Sequence, residues 1–568
     1  MSVSRKWAGP AVVVAVALAA SMAASCVRYG LVPTEEYIGP PRPATAAPAA
    51  PGTAAPTKPG EKPAPAKPGE KPAPAPGAEA APTTMGEIPP TGAVPVTISQ
   101  AMLLALANNQ ALAVQRLNVP IARTVVEDER AVFDPILAGS LQRQRSLILS
   151  PGGRGNFATM GTDNTGEIGL SEFFPTGTQV AVTGSTDIAH GSANPENFFA
   201  TRYGLTVTQA LLRGFGLDVN LASLRQARVD VLTSEYELRG FAESLVAQVE
   251  EAYWDYALAQ RNIEIFTQSL KLAEQQLRET EERIRVGKLA DIERAAAEAE
   301  VALRREDLIN ANSALATSRL TLLRLMNPAK TDFWSRDVAI QTPPTPPRET
   351  LEQVVSHVQV AMRMRPDLNQ ARTLVQRDDL EIVKTRNGLL PRMDLFTTLG
   401  KSGYASSFGG SYTNLHERGY DLLVGVNMEY PILNRSAVAT NQRAHLSRQQ
   451  AVESVNNVAQ LVEVDVRMAY IEVERAMEQV AATAVTRRLQ EETVRAETEK
   501  FRVGKSTTLL VAQAQRDLLR SQISEVSAVV AHLKALVEFY RLEGSLLERR
   551  GIVCPGREPA QMPPPRLP

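Results

Sequence analysis

Few residues in this chain are placed to do covalent chemistry. The five histidines, His190, His357, His416, His445 and His532, show no metal-ligand spacing with one another. Cys26 and Cys554 stand 528 positions apart (554 − 26), and no glycine-rich phosphate loop follows a strand pattern. Acid pairs such as Glu250-Glu251 and Glu281-Glu282 fall inside long helical patterns and read as their wet face. An enzyme, a bound metal and a cofactor are therefore not expected. Nucleic acid is not an expected partner either: 61 basic residues balance 62 acids, the net charge is −1, and no long basic block occurs. Two chemistries remain, attachment at Cys26 and fixed charge at Asp291 and Glu293.

Cys26 closes a processing segment. Arg5 and Lys6 precede an apolar run from Ala11 to Ala20, and the small residues Ala23-Ala24-Ser25 stand directly before the cysteine. Residues 1–25 thus read as a signal peptide, and the small residues before a lone cysteine resemble a lipobox, with Cys26 the acylated first residue. Ordinary signal cleavage beside an incidental cysteine is the plainer alternative. Acylation would leave only Cys554, and no intramolecular disulfide could form. Residues 26–95 then read as a lipid-anchored Pro/Ala-rich linker, in which the nonapeptide Lys58 to Ala66 returns at once as Lys67 to Ala75. Such a segment lacks apolar bulk for a core and suits reach.

The rest of the chain is written twice. Arg285-Val286-Gly287-Lys288 returns as Arg502-Val503-Gly504-Lys505, 217 positions later (504 − 287), and Val249, Ala252 and Tyr253 return as Val466, Ala469 and Tyr470. Leu112 and Pro135 return as Leu368 and Pro391, 256 positions later (391 − 135). Residues 96–348 form a first repeat, 349–549 a second, and 550–568 a tail expected to be disordered. Thr97 can cap the opening helix of the first repeat, Thr350 again stands before a helical pattern in the second, and these helices end near Pro135 and Pro391. Amphipathic strands follow, with Tyr203, Leu205 and Val207 alternating with Gly204, Thr206 and Thr208, and Leu422, Val424, Val426 and Met428 with the residues between. Next comes a helix from about Asn220 to Arg285, or Ser436 to Arg502, on the order of 100 Å long. Its glycine turn and a returning helix complete the unit, and Asn327 to Pro347 is an irregular, Pro-rich seam.

The fold class that emerges is mainly α with a small transmembrane β part. So few strands per chain argue for a barrel completed by neighbouring copies. The turns at Gly287 and Gly504 are the breaks at the far ends of the long helices, so Arg285 to Lys288 and Arg502 to Lys505 should sit deepest in the periplasm and serve as docking tips. The first repeat also holds a surplus hairpin around Phe174-Pro175-Thr176-Gly177-Thr178, flanked by Gly/Ser/Asn-rich loops at 150–165 and 184–199. It could extend outward from the barrel, which would have twelve strands if it follows the family resemblance given next, or turn toward the periplasm and give six strands per chain.

The tandem order of helix, strands, long helix, turn and helix resembles the TolC-like outer-membrane efflux protein family over residues 96–549. Thr97-Ile98-Ser99-Gln100-Ala101, Thr208-Gln209-Ala210-Leu211-Leu212-Arg213-Gly214, Glu429-Tyr430-Pro431-Ile432-Leu433 and Tyr540-Arg541-Leu542-Glu543-Gly544 carry the likeness. The resemblance implies an outer-membrane homotrimer, a β-barrel on a periplasmic α-helical tunnel, working with a periplasmic adaptor protein and an inner-membrane pump in efflux or type I secretion. It implies a tunnel constriction at Asp291, Glu293, Leu510 and Gln513. Glu293 matches a family acid, whereas Leu510 and Gln513 replace the acids of a charged ring. Phe501 stands where some relatives carry a hydrogen-bonding tyrosine. The alternative is a periplasmic adaptor or coiled-coil scaffold lipoprotein without a pore.

Overall fold

Thr97 opens the first helix as its sequence predicts. Its hydroxyl accepts from the Gln100 amide at 3.2 Å, and the Gln100 side chain accepts from the Thr97 amide at 3.0 Å, a reciprocal capping box. The computed structural model describes residues 93–152, 155–191, 194–327, 334, 336–345 and 351–561. The signal peptide, Cys26, the linker up to residue 92 and Thr350 lie outside the described residues.

Each opening helix is two helices. α1 (Ile98–Asn108) and α2 (Gln110–Ala131) meet at Asn109, and in the second repeat α5 (Val354–Met364) and α6 (Pro366–Gly388) meet at Arg365. Both junction residues adopt extended backbone, φ −66° at Asn109 and φ −61° at Arg365. They stand 256 positions apart (365 − 109), the offset of the repeat itself. Asn109 caps α2 through its side chain, while Pro366 starts α6 with a ring whose missing N–H costs nothing at that position.

The long helices are α3 (Ala222–Arg285, 64 residues) and α8 (Arg435–Arg502, 68 residues), with returning helices α4 (Ile292–Met326) and α9 (Thr508–Glu543). At 1.5 Å per residue, α3 and α8 run about 96 and about 102 Å. The duplication is legible in what they bury. Leu112 and Val249 in the first repeat, and Leu368 and Val466 in the second, are all at most 2% exposed. The first set packs with Tyr253, Leu322 and Leu323, the second with Val462 and Phe539.

Strands β2 (Ile136–Gly152), β3 (Gly155–Phe174), β4 (Thr178–Gly191), β5 (Asn194–Ala210), β7 (Arg392–Ala405) and β8 (Asp421–Glu429) form one antiparallel sheet in the order β2-β3-β4-β5-β7-β8. The stretches 150–165 and 184–199, expected as loops, are mostly the ends of strands 14 to 20 residues long. Their Gly, Ser, Thr and Asn content misled because it marks a strand polar on both faces as readily as a loop. The surplus hairpin turns toward the helices. Gly177 has φ +84°, a Cβ there would lie 2.2 Å from the Gly214 carbonyl oxygen, and Asn220 Nδ2 donates to the Pro175 carbonyl at 3.0 Å. The outward placement is thereby overturned, and the chain contributes six strands to one sheet.

Two further expectations need correction. The Pro-rich seam contains β6 (Val338–Ile340), which pairs in parallel with β1 (Val94–Val96). The last residues of the expected linker, Val94 and Pro95, are therefore in a strand, and Tyr253 and Tyr256 of α3 donate their hydroxyls to the Val96 and Val338 carbonyls at 3.1 and 2.9 Å. The tail is also placed, as far as Gln561. After a short helix α10 (Leu546–Arg549), Tyr236 Oη donates to the Glu558 carbonyl at 2.6 Å, and the Ala560 amide donates to Asn369 Oδ1 at 3.1 Å. Buried ionic groups hold its root: Arg550 donates twice to Glu250 at 2.7 Å, and Arg239 bridges Glu243 and Glu548 at 3.1 and 2.6 Å.

Candidate functional site

The two hairpin tips have the same geometry because they have the same sequence. Gly287 and Gly504 take left-handed φ of +73° and +75°, which a side chain would strain. The turn closes as the Lys288 amide donates to the Arg283 carbonyl and the Lys505 amide to the Lys500 carbonyl, each at 2.8 Å. Arg285, Val286, Lys288, Arg502, Val503 and Lys505 surround these glycines. Val286 and Val503 are 60% and 66% exposed, apolar side chains that no described residue covers. Lys500 Nζ donates to one carboxylate oxygen of Glu497 at 2.5 Å and Ser506 Oγ donates to the other at 2.8 Å, and these bonds hold the Glu497 carboxyl below its ordinary range.

The tips also touch each other. The Arg283 guanidinium lies 4.4 Å from the centroid of the Phe501 ring, and the Thr508 hydroxyl donates to the Glu293 carboxylate. Sequence reasoning found Phe501 and saw that it could not donate a hydrogen bond. It missed Arg283, which is 218 residues away (501 − 283) and looks like any other wet-face arginine. Glu293 is thus engaged across the hairpins, and Asp291 stays in solvent, its side chain 81% exposed beside Arg294. Leu510 and Gln513 lie on the exposed side of the first turns of α9, and Thr507 caps that helix. The structure therefore brings Glu293 to the second tip but gathers no four-residue cluster from Asp291, Glu293, Leu510 and Gln513 within one chain.

At the other end of the long helices the sheet is two-faced. One row of paired residues runs Leu137, Leu170, Val182, Leu205, Leu399, Leu422 across all six strands. The opposite face carries Ser140, Glu167, Ser185, Arg202 and Ser402 in a second row. Leu137, Leu141, Leu422, Val424 and Val426 are more than half exposed, apolar side chains turned outward on this face. Toward the outer end of that face, a short helix α7 (Phe408–Thr413) packs by Ser411 on Thr201 at 2.8 Å and by Tyr412 edge-on to Tyr203. Aromatic side chains at that level suit a hydrocarbon–water boundary, and an apolar-out, polar-in sheet suits a lipid-embedded wall.

The sequence pattern of the family described as outer membrane efflux protein matches residues 102–328 and 358–545. The chain belongs to the outer membrane efflux protein family. It is 23% identical over 350 residues to the outer membrane efflux protein BepC of Brucella suis biovar 1, covering 61% of this chain and 73% of that protein. Its fold is similar to the CmeC outer membrane channel of Campylobacter jejuni, with a TM-score of 0.60 and 15% identity over 79% of this chain and 86% of that one. The open state of the MtrE outer membrane channel of Neisseria gonorrhoeae is also similar, at a TM-score of 0.59 and 19% identity over 79% and 89%. This efflux protein is accordingly an outer-membrane channel whose long helices form its periplasmic portion. The family is one of passive channels rather than enzymes, and these likenesses lend nothing to a pore-less adaptor or scaffold.

Proposed function

We propose that this efflux protein works as a homotrimer, anchored through acylated Cys26, and receives substrate from a periplasmic adaptor and an inner-membrane pump. One observation carries the reading. A sheet with an apolar and a polar face continues into two helical hairpins about 100 Å long, and both end at identical solvent-exposed turns. Helices of that length are far longer than one compact core needs, whereas a conduit between two membranes requires them. The tips at Arg285 to Lys288 and Arg502 to Lys505 are the docking points, because Val286 and Val503 offer apolar surface there. Near the tips, three copies of Asp291 place like charges around the tunnel axis and favour cations. Glu293 and Thr508 hold the paired hairpins at the mouth.

Single-channel recording of the purified protein tests the channel, and cross-linking from photoreactive groups at Val286 and Val503 in cells tests the docking. Discrete conductance with adaptor captured at both positions is expected. A protein released into buffer once Cys26 is replaced, with no conductance, would refute the pore. Mass spectrometry of the N-terminal peptide reads the anchor: an unmodified Cys26 excludes it.

A further inference from the structure

Among the described residues the sheet has two free edges, β2 and β8, and they are complementary. β2 leads away from the helices and each following strand reverses, so β8 leads back toward them. Because six is even, β8 of one copy would lie antiparallel to β2 of the next. Each edge presents a row of unpaired N–H and C=O groups, which hydrocarbon cannot satisfy. We propose that β8 pairs with β2 of a second copy of this chain, and that three copies close an eighteen-stranded barrel. The proposal rests on the trimeric channel reading above and adds how its wall is closed.

Faces and tilt together fix the register. On β8 the apolar face holds Leu422, Val424, Val426 and Met428, and on β2 it holds Leu137 and Leu141, so even positions of β8 must face odd positions of β2. The row that starts at Leu137 crosses one copy and ends at Leu422. Were Leu422 to face Leu137 of the next copy, the strands would stand upright with no stagger. Seating all nine residues of β8 on β2 moves Leu422 to Arg143 or beyond, a step of at least six residues per copy. A six-residue step rises about 20 Å over six strand spacings of about 29 Å in all, a tilt of about 35°. An eight-residue step gives about 42°, and ten gives about 49°. Barrel strands tilt by about 35–45°, so only the first two steps fit. Leu141 therefore faces Val424 or Val426 of the neighbouring copy. Diameter grows roughly in proportion to strand number, so the mouth would be about half again as wide as a twelve-stranded one.

Two double variants test this, Leu141→Cys with Val424→Cys and Leu141→Cys with Val426→Cys. Within one copy these positions lie at opposite edges, about five strand spacings or 24 Å apart, too far for a disulfide. Oxidation in isolated outer membranes should link one of the two pairs, giving covalent dimers and then trimers on non-reducing gels, while the single-cysteine variants stay monomeric. A ladder that ends at two, or runs past three, would overturn the strand count. So would the absence of linkage in both variants when sedimentation in detergent shows intact trimers. Linkage of Val424→Cys to Val182→Cys would overturn it too, since β4 would then close a narrower wall with the first hairpin outside. Monomers in sedimentation, with no linkage, would instead overturn the trimeric channel reading itself.

Discussion

Arg550→Ala should destabilise the protein by an amount that grows with pH. Glu250 is 0% exposed, and both its carboxylate oxygens accept from Arg550, at 2.7 Å each. Burial already raises its pKa, with Arg550 pulling the other way. Without Arg550 the choice is between a bare buried charge, costing about 3–5 kcal/mol, and protonation. Protonating an ordinary glutamate costs about 1.4 kcal/mol per pH unit above about 4.3, hence about 1.6 kcal/mol at pH 5.5 and about 3.7 at pH 7. The cheaper route sets the ceiling. The sign follows from a folded pKa raised above the unfolded one: stability is fully present below the unfolded pKa and is lost as pH rises toward the folded one. Trp254, one turn along α3 and 6% exposed, gives a fluorescence midpoint for thermal unfolding in detergent. The deficit of Arg550→Ala against wild type should roughly double between pH 5.5 and 7, and adding Glu250→Gln should remove most of it. A deficit that is the same at both pH values, or that survives Glu250→Gln, would refute the buried-charge account.

Four further outcomes are expected. Glu243 is pushed up to about 8 by burial against the pull of Arg239; wild type should therefore lose midpoint against Glu243→Gln as pH rises from about 4.5 to 8, and a parallel pair of curves would contradict this. Gly287→Val with Gly504→Val forces left-handed backbone at about 1–2 kcal/mol per site where no neighbour obstructs a side chain; export should fall while trimers still form, and unchanged export would remove the tips from docking. Arg283→Ala frees Phe501 and forfeits about 0.5–2 kcal/mol of the contact between the tips, so the thermal midpoint should fall, and an unchanged midpoint would count against that contact; Asp291→Asn should lower cation preference in single-channel recording, and unchanged selectivity would count against the charge at the tunnel mouth.

What could be read from the sequence was whatever repeats or alternates. Val249 and Val466 announce equivalent cores because the same apolar residue returns at the same offset, and both are wholly buried. Gly287 and Gly504 are legible for the same reason. The turn at Gly177 could be seen but not placed, because its direction depends on contact with Gly214 and Asn220 rather than on its own residues. The ordered tail was missed because Gly551, Pro555 and Gly556 have the composition of a loose end; its backbone is held by partners far away, Tyr236, Asn369 and Gln376. β6 was missed because three residues carry no measurable period. The tip contacts Arg283 to Phe501 and Thr508 to Glu293 join residues more than 200 positions apart, and no local pattern marks them.

The parallel pairing of β1 with β6 fixes where any tether from the amino terminus is fastened. Val96 is bound by Tyr253, which stands 31 residues into α3 (253 − 222), about 47 Å from the sheet end of that helix. An acylated Cys26 would therefore have to bridge that height from the bilayer to Val94. At about 3.1 Å per residue of polyproline geometry, some 15 residues suffice, yet 68 are present (94 − 26). If Cys26 is acylated, a length of 68 residues is about fourfold more than that span requires, enough for a leash rather than a strut. Deleting one nonapeptide copy, or both, leaves more than enough length, and the lipid would still hold the channel to its membrane without setting its height or orientation.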